Sequence, residues 1–146
     1  MIIFALNSNV IAQNQSSKEL QIKATINTLF EGMLNSDTVK IRNTFAKKAI
    51  MQTIASTPDG KVIARNGSVD AFIKSIGAPH PDKYDERIDF TKILIDGSLA
   101  SVWTNYKFYI GDKFSHCGVN SFQLLREEDG WKIIYLIDTR RKDNCN

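Results

Sequence analysis

Cysteine, histidine and proline are all scarce in this chain. Two cysteines, Cys117 and Cys145, two histidines, His80 and His116, and three prolines are spread over 146 residues. There is no CxxC, no HExxH and no His/Cys cluster, so neither a metal nor a cofactor is expected. Two thiols make no disulfide framework. Cys117 falls in the middle of a strand and Cys145 in a polar tail, so a bridge needs that tail to fold back; the expectation is two free thiols. No apolar run approaches the length that spans a bilayer. The net charge is only +3, and apart from Arg140, Arg141 and Lys142 the basic residues are scattered, so nucleic acid is not an expected partner.

What is present suits a globular protein. At 42% apolar and 24% charged residues the chain is long enough to bury a real core, and its length fits one domain. That domain is placed at 16–141, with a tail at 142–146. Residues 1–12 stand apart. Met1–Leu6 is apolar, and Val10, Ile11 and Ala12 precede Gln13. This is the pattern of a truncated secretory signal cleaved after Ala12, although its basic start is missing. The signal reading places the protein outside the cytoplasm. The other reading is a frayed N-terminus on a cytoplasmic protein.

Ser16 and Glu19 have capping-box spacing, and Ile22, Ile26, Leu29, Phe30 and Met33 form one apolar helical face. The spacing predicts a first helix from Ser16 to about Leu34. A break at 35–37 precedes a second helix carrying Ile41 and Phe45. Residues 49–56 read as a strand, Thr57-Pro58-Asp59-Gly60 as a turn, and 61–65 as a returning strand. Ser68 then caps a helix that Gly77 closes. From Arg87 onward three hairpin signals, Asp96-Gly97, Gly111-Asp112 and Asp129-Gly130, separate alternating runs. The order implies an α+β fold: a curved antiparallel sheet with helices on one face.

Two-residue turns pair Ile95 with Ser98, Ile110 with Lys113 and Glu128 with Trp131. Strict alternation then turns Trp103, Asn105, Tyr109, His116, Asn120, Phe122 and Tyr135 toward the helices. Val102, Tyr106, Phe108, Cys117, Val119, Leu136 and Asp138 fall on the other face. That face is too apolar for water alone, and a homodimer through it is expected.

The closing stretch GVNSFQLLREEDGWKIIYLIDTRR, the preceding FYIGDKFSHCG and the element order resemble the nuclear transport factor 2-like superfamily over about 16–141. This superfamily is also called cystatin-like and includes SnoaL-like and ketosteroid isomerase groups. The resemblance is greatest to small bacterial members of the "putative lumazine-binding" type. It implies a cone-shaped fold with a pocket between sheet and helices, often as a homodimer. Members include isomerases, cyclases, dehydratases and plain binders, so the fold does not select a function.

Two candidates for chemistry stand out. His116 suits proton transfer near neutral pH, or it is a core histidine bonded to an amide or phenol. Asp138 is the acidic candidate, although alternation turns it away from His116, toward a salt bridge with Arg140 or Arg141. Trp103, Asn105, Tyr109, Asn120, Phe122 and Tyr135 form the expected ligand pocket, against plain core packing. The inner-face positions of the first helix, Ile26, Leu29, Phe30 and Met33, offer no tyrosine or carboxylate, and the strand at 49–56 has no Asp, Glu or His, so the base and donor of an isomerase are missing from their usual elements. Two functions follow: a dimeric domain that binds a small organic ligand or is purely structural, or a small isomerase, dehydratase or cyclase using His116.

Overall fold

The computed structural model describes residues 6–145, with side chains from Gln13 onward. Apart from Leu6, the apolar start of the expected signal lies outside the described residues. The elements are α1 (Leu6–Leu34), α2 (Thr38–Thr44), β1 (Phe45–Ser56), β2 (Val62–Gly67), α3 (Val69–Gly77), β3 (Tyr84–Asp96), β4 (Leu99–Ile110), β5 (Lys113–Glu127) and β6 (Gly130–Thr139). The fold is α+β, with the helices packed on a curved, unclosed sheet of order β2-β1-β6-β5-β4-β3. Among the described residues no helix is long and apolar enough to cross a membrane.

Helix α1 does not start at Ser16. It continues N-terminally through a stretch without proline or glycine, where nothing stops propagation. The predicted capping box is therefore helix interior. Its apolar face behaves as the spacing predicts: Ile22, Ile26, Leu29 and Met33 are all buried against the sheet. Asp37 starts α2, its carboxylate accepting from the Lys40 amide at 2.8 Å. Ser68 starts α3 in the same way, accepting from the Ala71 amide at 3.0 Å. Gly77 is not the cap of α3; Ala78 is. A side chain at Gly77 would stand 2.7 Å from the Thr38 Cγ2, so this glycine permits α3 to pack on α2.

All strand neighbours are antiparallel except β1 and β6, which run parallel. No hairpin constrains that pair, because β2, α3, β3, β4 and β5 lie between its members in sequence. The hairpin registers depart from strict alternation. Only the Ile110–Lys113 pair closes as predicted; the other two turns close at Asp96–Leu99 and Glu127–Gly130. Bulges then interrupt β3 between Phe90 and Lys92, β5 between Phe114 and His116, and β6 between Ile133 and Tyr135. Each extra residue exchanges the faces beyond it.

The inward row of β4 is consequently Ala100, Val102, Thr104, Tyr106 and Phe108, not Trp103, Asn105 and Tyr109. On β5, Asn120, Phe122 and Leu124 face inward as predicted. On β6, Trp131 and Ile133 face inward, then Leu136 and Asp138 after the bulge, with Tyr135 outward. Five residues expected on the outer face, Val102, Tyr106, Phe108, Leu136 and Asp138, thus belong to the helix side.

The cysteines are not free. The ladder of β6 resumes beyond Thr139, where Arg141 and Cys117 exchange two backbone bonds of 2.9 Å. This brings the tail back over β5, and Cys117 and Cys145 form a disulfide with a Cα–Cα distance of 5.8 Å. Gly118 allows the crossing. A Cβ there would lie 1.9 Å from the Thr139 carbonyl oxygen, which instead accepts from the Tyr106 hydroxyl at 2.7 Å.

Trp131 is only 3% exposed and packs into the main core, while the Thr25 hydroxyl donates to its carbonyl at 3.3 Å. Trp131→Ala should therefore cost about 3–5 kcal/mol through the cavity it leaves. Urea denaturation measures this, and an unchanged midpoint would contradict the assigned core role.

Candidate functional site

A cavity of about 360 Å³ opens between the sheet and helices α1 and α3. That size is sufficient for a small organic molecule. Leu29, Phe30 and Met33 line it from α1, Phe72 from α3, and Met51 and Leu136 from the sheet. These side chains follow from helix periodicity and from the inward phase of β1 and β6. The polar lining includes Glu86 from β3, Asn120 from β5, and Asp138 and Arg140 from the end of β6, with further polar groups on β1 and β2 (Gln52, Thr53, Arg65 and Asn66) and at α3 (Ser68 and Ser75).

The polar groups are tied together. Asn120, 4% exposed, donates from Nδ2 to Glu86 Oε1 at 2.8 Å. Arg140 Nε donates to Asp138 Oδ2 at 2.9 Å. The Thr53 hydroxyl bonds Asp138 Oδ1, and the Tyr106 hydroxyl lies 3.5 Å from Oδ2. Asp138 thus has a cation and a hydroxyl partner. Among the described residues, Glu86 has a single amide and no salt bridge.

The electrostatics reflect that asymmetry. Glu86 keeps some contact with solvent along the cavity, but protein atoms crowd its carboxyl. Burial pushes it up from 4.5 to about 7, opposed by the Asn120 hydrogen bond and reinforced by Asp138. Burial also raises Asp138, against the pull of Arg140. The Tyr106 phenol is raised, chiefly by burial and then by Asp138 and Glu86, and stays protonated as a donor.

The residues expected to form the pocket are scattered by the bulges. Asn120 and Asp138 border the cavity. Phe122 is fully buried behind it, edge-on to Phe30 with ring centroids 6.3 Å apart. Trp103, 48% exposed, and Asn105 point to the outer face. Tyr109 lies outward beneath Arg87, whose guanidinium carbon is 4.1 Å from the ring centre. Tyr135 is outward too, its hydroxyl bonded to Gln52. His116 is on the helix-side face but does not line the cavity. Its ring packs on Tyr106 and Phe108 at 5.7 and 5.0 Å, and Nδ1 is 3.0 Å from the Ser115 hydroxyl. Burial, with Arg140 and Lys142, lowers its pKa and favours the neutral ring.

Glu86 is the residue that the sequence reading missed. Its signal is phase: Tyr84, Glu86, Ile88 and Phe90 form one alternating row, in which a single acid interrupts apolar residues. The acid expected to be missing from the first strand and helix is supplied by β3 and β6 instead.

The sign of the Glu86 shift sets a pH dependence. Between about pH 4.5 and 7 the folded chain holds a proton that the unfolded chain has released, so stability is lost as pH rises. Asp138 contributes in the same direction. Relative to Glu86→Gln, the wild type should lose roughly 2–3 kcal/mol from pH 5 to pH 8. Urea midpoints of both proteins measure this, and parallel pH profiles would refute the raised pKa.

The model of the family described as "Putative lumazine-binding" matches residues 17–135. No curated protein matches the chain. Among solved structures, a nuclear transport factor 2-like protein of unknown function from Shewanella baltica superposes with a TM-score of 0.67 at 19% identity, covering 88% of this chain and 97% of that one. A nuclear transport factor 2-like protein with a cystatin-like fold from Novosphingobium aromaticivorans gives 0.75 at 9% identity, covering 97% and 94%. At such identities these structures speak for the fold alone. With the family model spanning most of its length, this chain belongs to the "Putative lumazine-binding" family, and it shares the cystatin-like fold of these structures.

Proposed function

We propose that this protein binds a small, flat organic molecule in the cavity between the sheet and α1 and α3. The observation that carries the reading is a cavity that combines apolar walls from α1, Phe72, Met51 and Leu136 with polar groups held by hydrogen bonds, Glu86 and Asn120 among them. Aromatic and aliphatic walls suit a ring system, and a few fixed polar groups suit its heteroatom edge. The family's description names lumazine, a flat heterocycle with that division of character. An enzyme of isomerase, dehydratase or cyclase type is the second reading. The observation favouring it is the carboxyl pair of Glu86 and Asp138 at the cavity wall, with Glu86 titrating near neutrality. His116, outside the lining, is the weaker acid–base candidate.

We further propose a homodimer through the outer sheet face. Leu94, Leu99, Trp103 and Leu125 are 39–56% exposed there, with Leu99 and Leu125 directly paired across strands. One continuous apolar face can meet its own copy across a two-fold axis. Export is supported by the Cys117–Cys145 disulfide, since such bonds persist in oxidising compartments. N-terminal sequencing of protein from its own host should begin near Gln13; an intact Met1 in the cytoplasmic fraction would refute export.

Native mass spectrometry of the same protein tests both remaining proposals. The expected species has two chains and carries a small organic ligand. A ligand-free chain would count against the binding reading, and a monomer at micromolar concentration against the dimer.

A further inference from the structure

The two acids at the cavity wall are not equivalent. Asp138 is answered by Arg140 and by the Thr53 hydroxyl. Glu86 has Asn120 on Oε1, and among the described residues no other hydrogen-bond partner. Arg65 of β2 and Arg140 also border the cavity, yet neither makes a salt bridge with Glu86. The protein around it is no better satisfied. Thr104, the cross-strand partner of Asn120, is fully buried, and its hydroxyl meets no protein group.

A crowded carboxyl with one hydrogen bond destabilises the protein unless something completes it. The Asn120 amide reaches Oε1 alone, and among the described residues no hydrogen bond reaches Oε2. The cavity beside Glu86 is the place from which a partner can come. When Glu86 is ionised, as at pH 8, its oxygens only accept, so the missing partner of that form is a donor. The apolar walls formed by Phe30, Phe72 and Leu29 disfavour a hydrated metal ion or a free ammonium, and favour a donor carried on a ring.

We propose that the ligand brings a ring N–H or a protonated ring nitrogen to Glu86, and that Asn120 holds the carboxyl in position to receive it. This rests on the small-molecule reading of the cavity and adds the chemical class of the ligand's polar edge. Ligands that present only acceptors to the ionised Glu86 are disfavoured by the same geometry.

Calorimetry on the full chain at pH 8 tests the assignment with three matched pairs. Lumazine, quinazoline-2,4-dione and indole are each compared with the form in which every ring N–H is methylated. The N–H member of at least one pair should bind roughly tenfold or more tightly than its methylated form, the scale of one hydrogen bond to a charged group. That preference should shrink to within about threefold in Glu86→Gln, and in Glu86→Ala as a second variant. Both should fold, because they remove an incompletely satisfied acid. Equal affinity within all pairs overturns the donor assignment and leaves the cavity reading standing. A preference that survives both substitutions overturns the role of Glu86. Absence of binding by all six compounds overturns the donor assignment together with the reading it rests on.

Discussion

The arrangement of this site depends on the phase of the sheet. Three bulges and two displaced turns decide which alternate residues of β3 to β6 meet the helices. A strand has only two faces, so one extra residue moves every later side chain from core to surface. The bulge in β6 is the most consequential. Without it Asp138 would point away from the cavity; with it, Asp138 stands beside Asn120 in the ladder. His116 keeps its expected inward phase, against Tyr106 and Phe108, while the bulge in β5 moves Phe114 to the other face.

Once phase is set, burial governs the chemistry. The same apolar packing that holds α1 on the sheet crowds the carboxyls at the cavity wall. Desolvation is the largest influence on Glu86, Asp138, Tyr106 and His116 alike. The difference between the acids comes from their partners: a guanidinium and a hydroxyl for Asp138, an amide alone for Glu86. The disulfide acts at the other end of this assembly. It fixes the tail beside β5, where the β6 backbone crosses Gly118 and places the Thr139 carbonyl under Tyr106.

Much of the fold was legible in the sequence. Helix periodicity identified the buried face of α1, the caps at Asp37 and Ser68 coincide with helix starts, and turn residues counted the strands. The site was legible only in part. Asn120 and Asp138 were named, but the pocket built around Trp103, Asn105, Tyr109 and Tyr135 rested on unbroken alternation. The bulk of Trp103 was weighed above a better signal on its own strand. Lys107 shares its face, whereas the row Ala100, Val102, Thr104, Tyr106 and Phe108 carries no charge. Glu86 escaped notice because an acid in an apolar row reads as an exception until the row's surroundings are known. The disulfide depends on the β6 ladder continuing to Arg141 and on a turn beyond it, which local composition does not encode.

The central claim is that Glu86 is an incompletely satisfied carboxyl at the wall of a ligand cavity. Titration of its side-chain carboxyl carbon by NMR tests this most directly. The account predicts a midpoint near pH 7, with Asn120→Ala moving it higher still, since the amide hydrogen bond favours the charged form. A midpoint close to 4.5, unmoved by loss of Asn120, would contradict it.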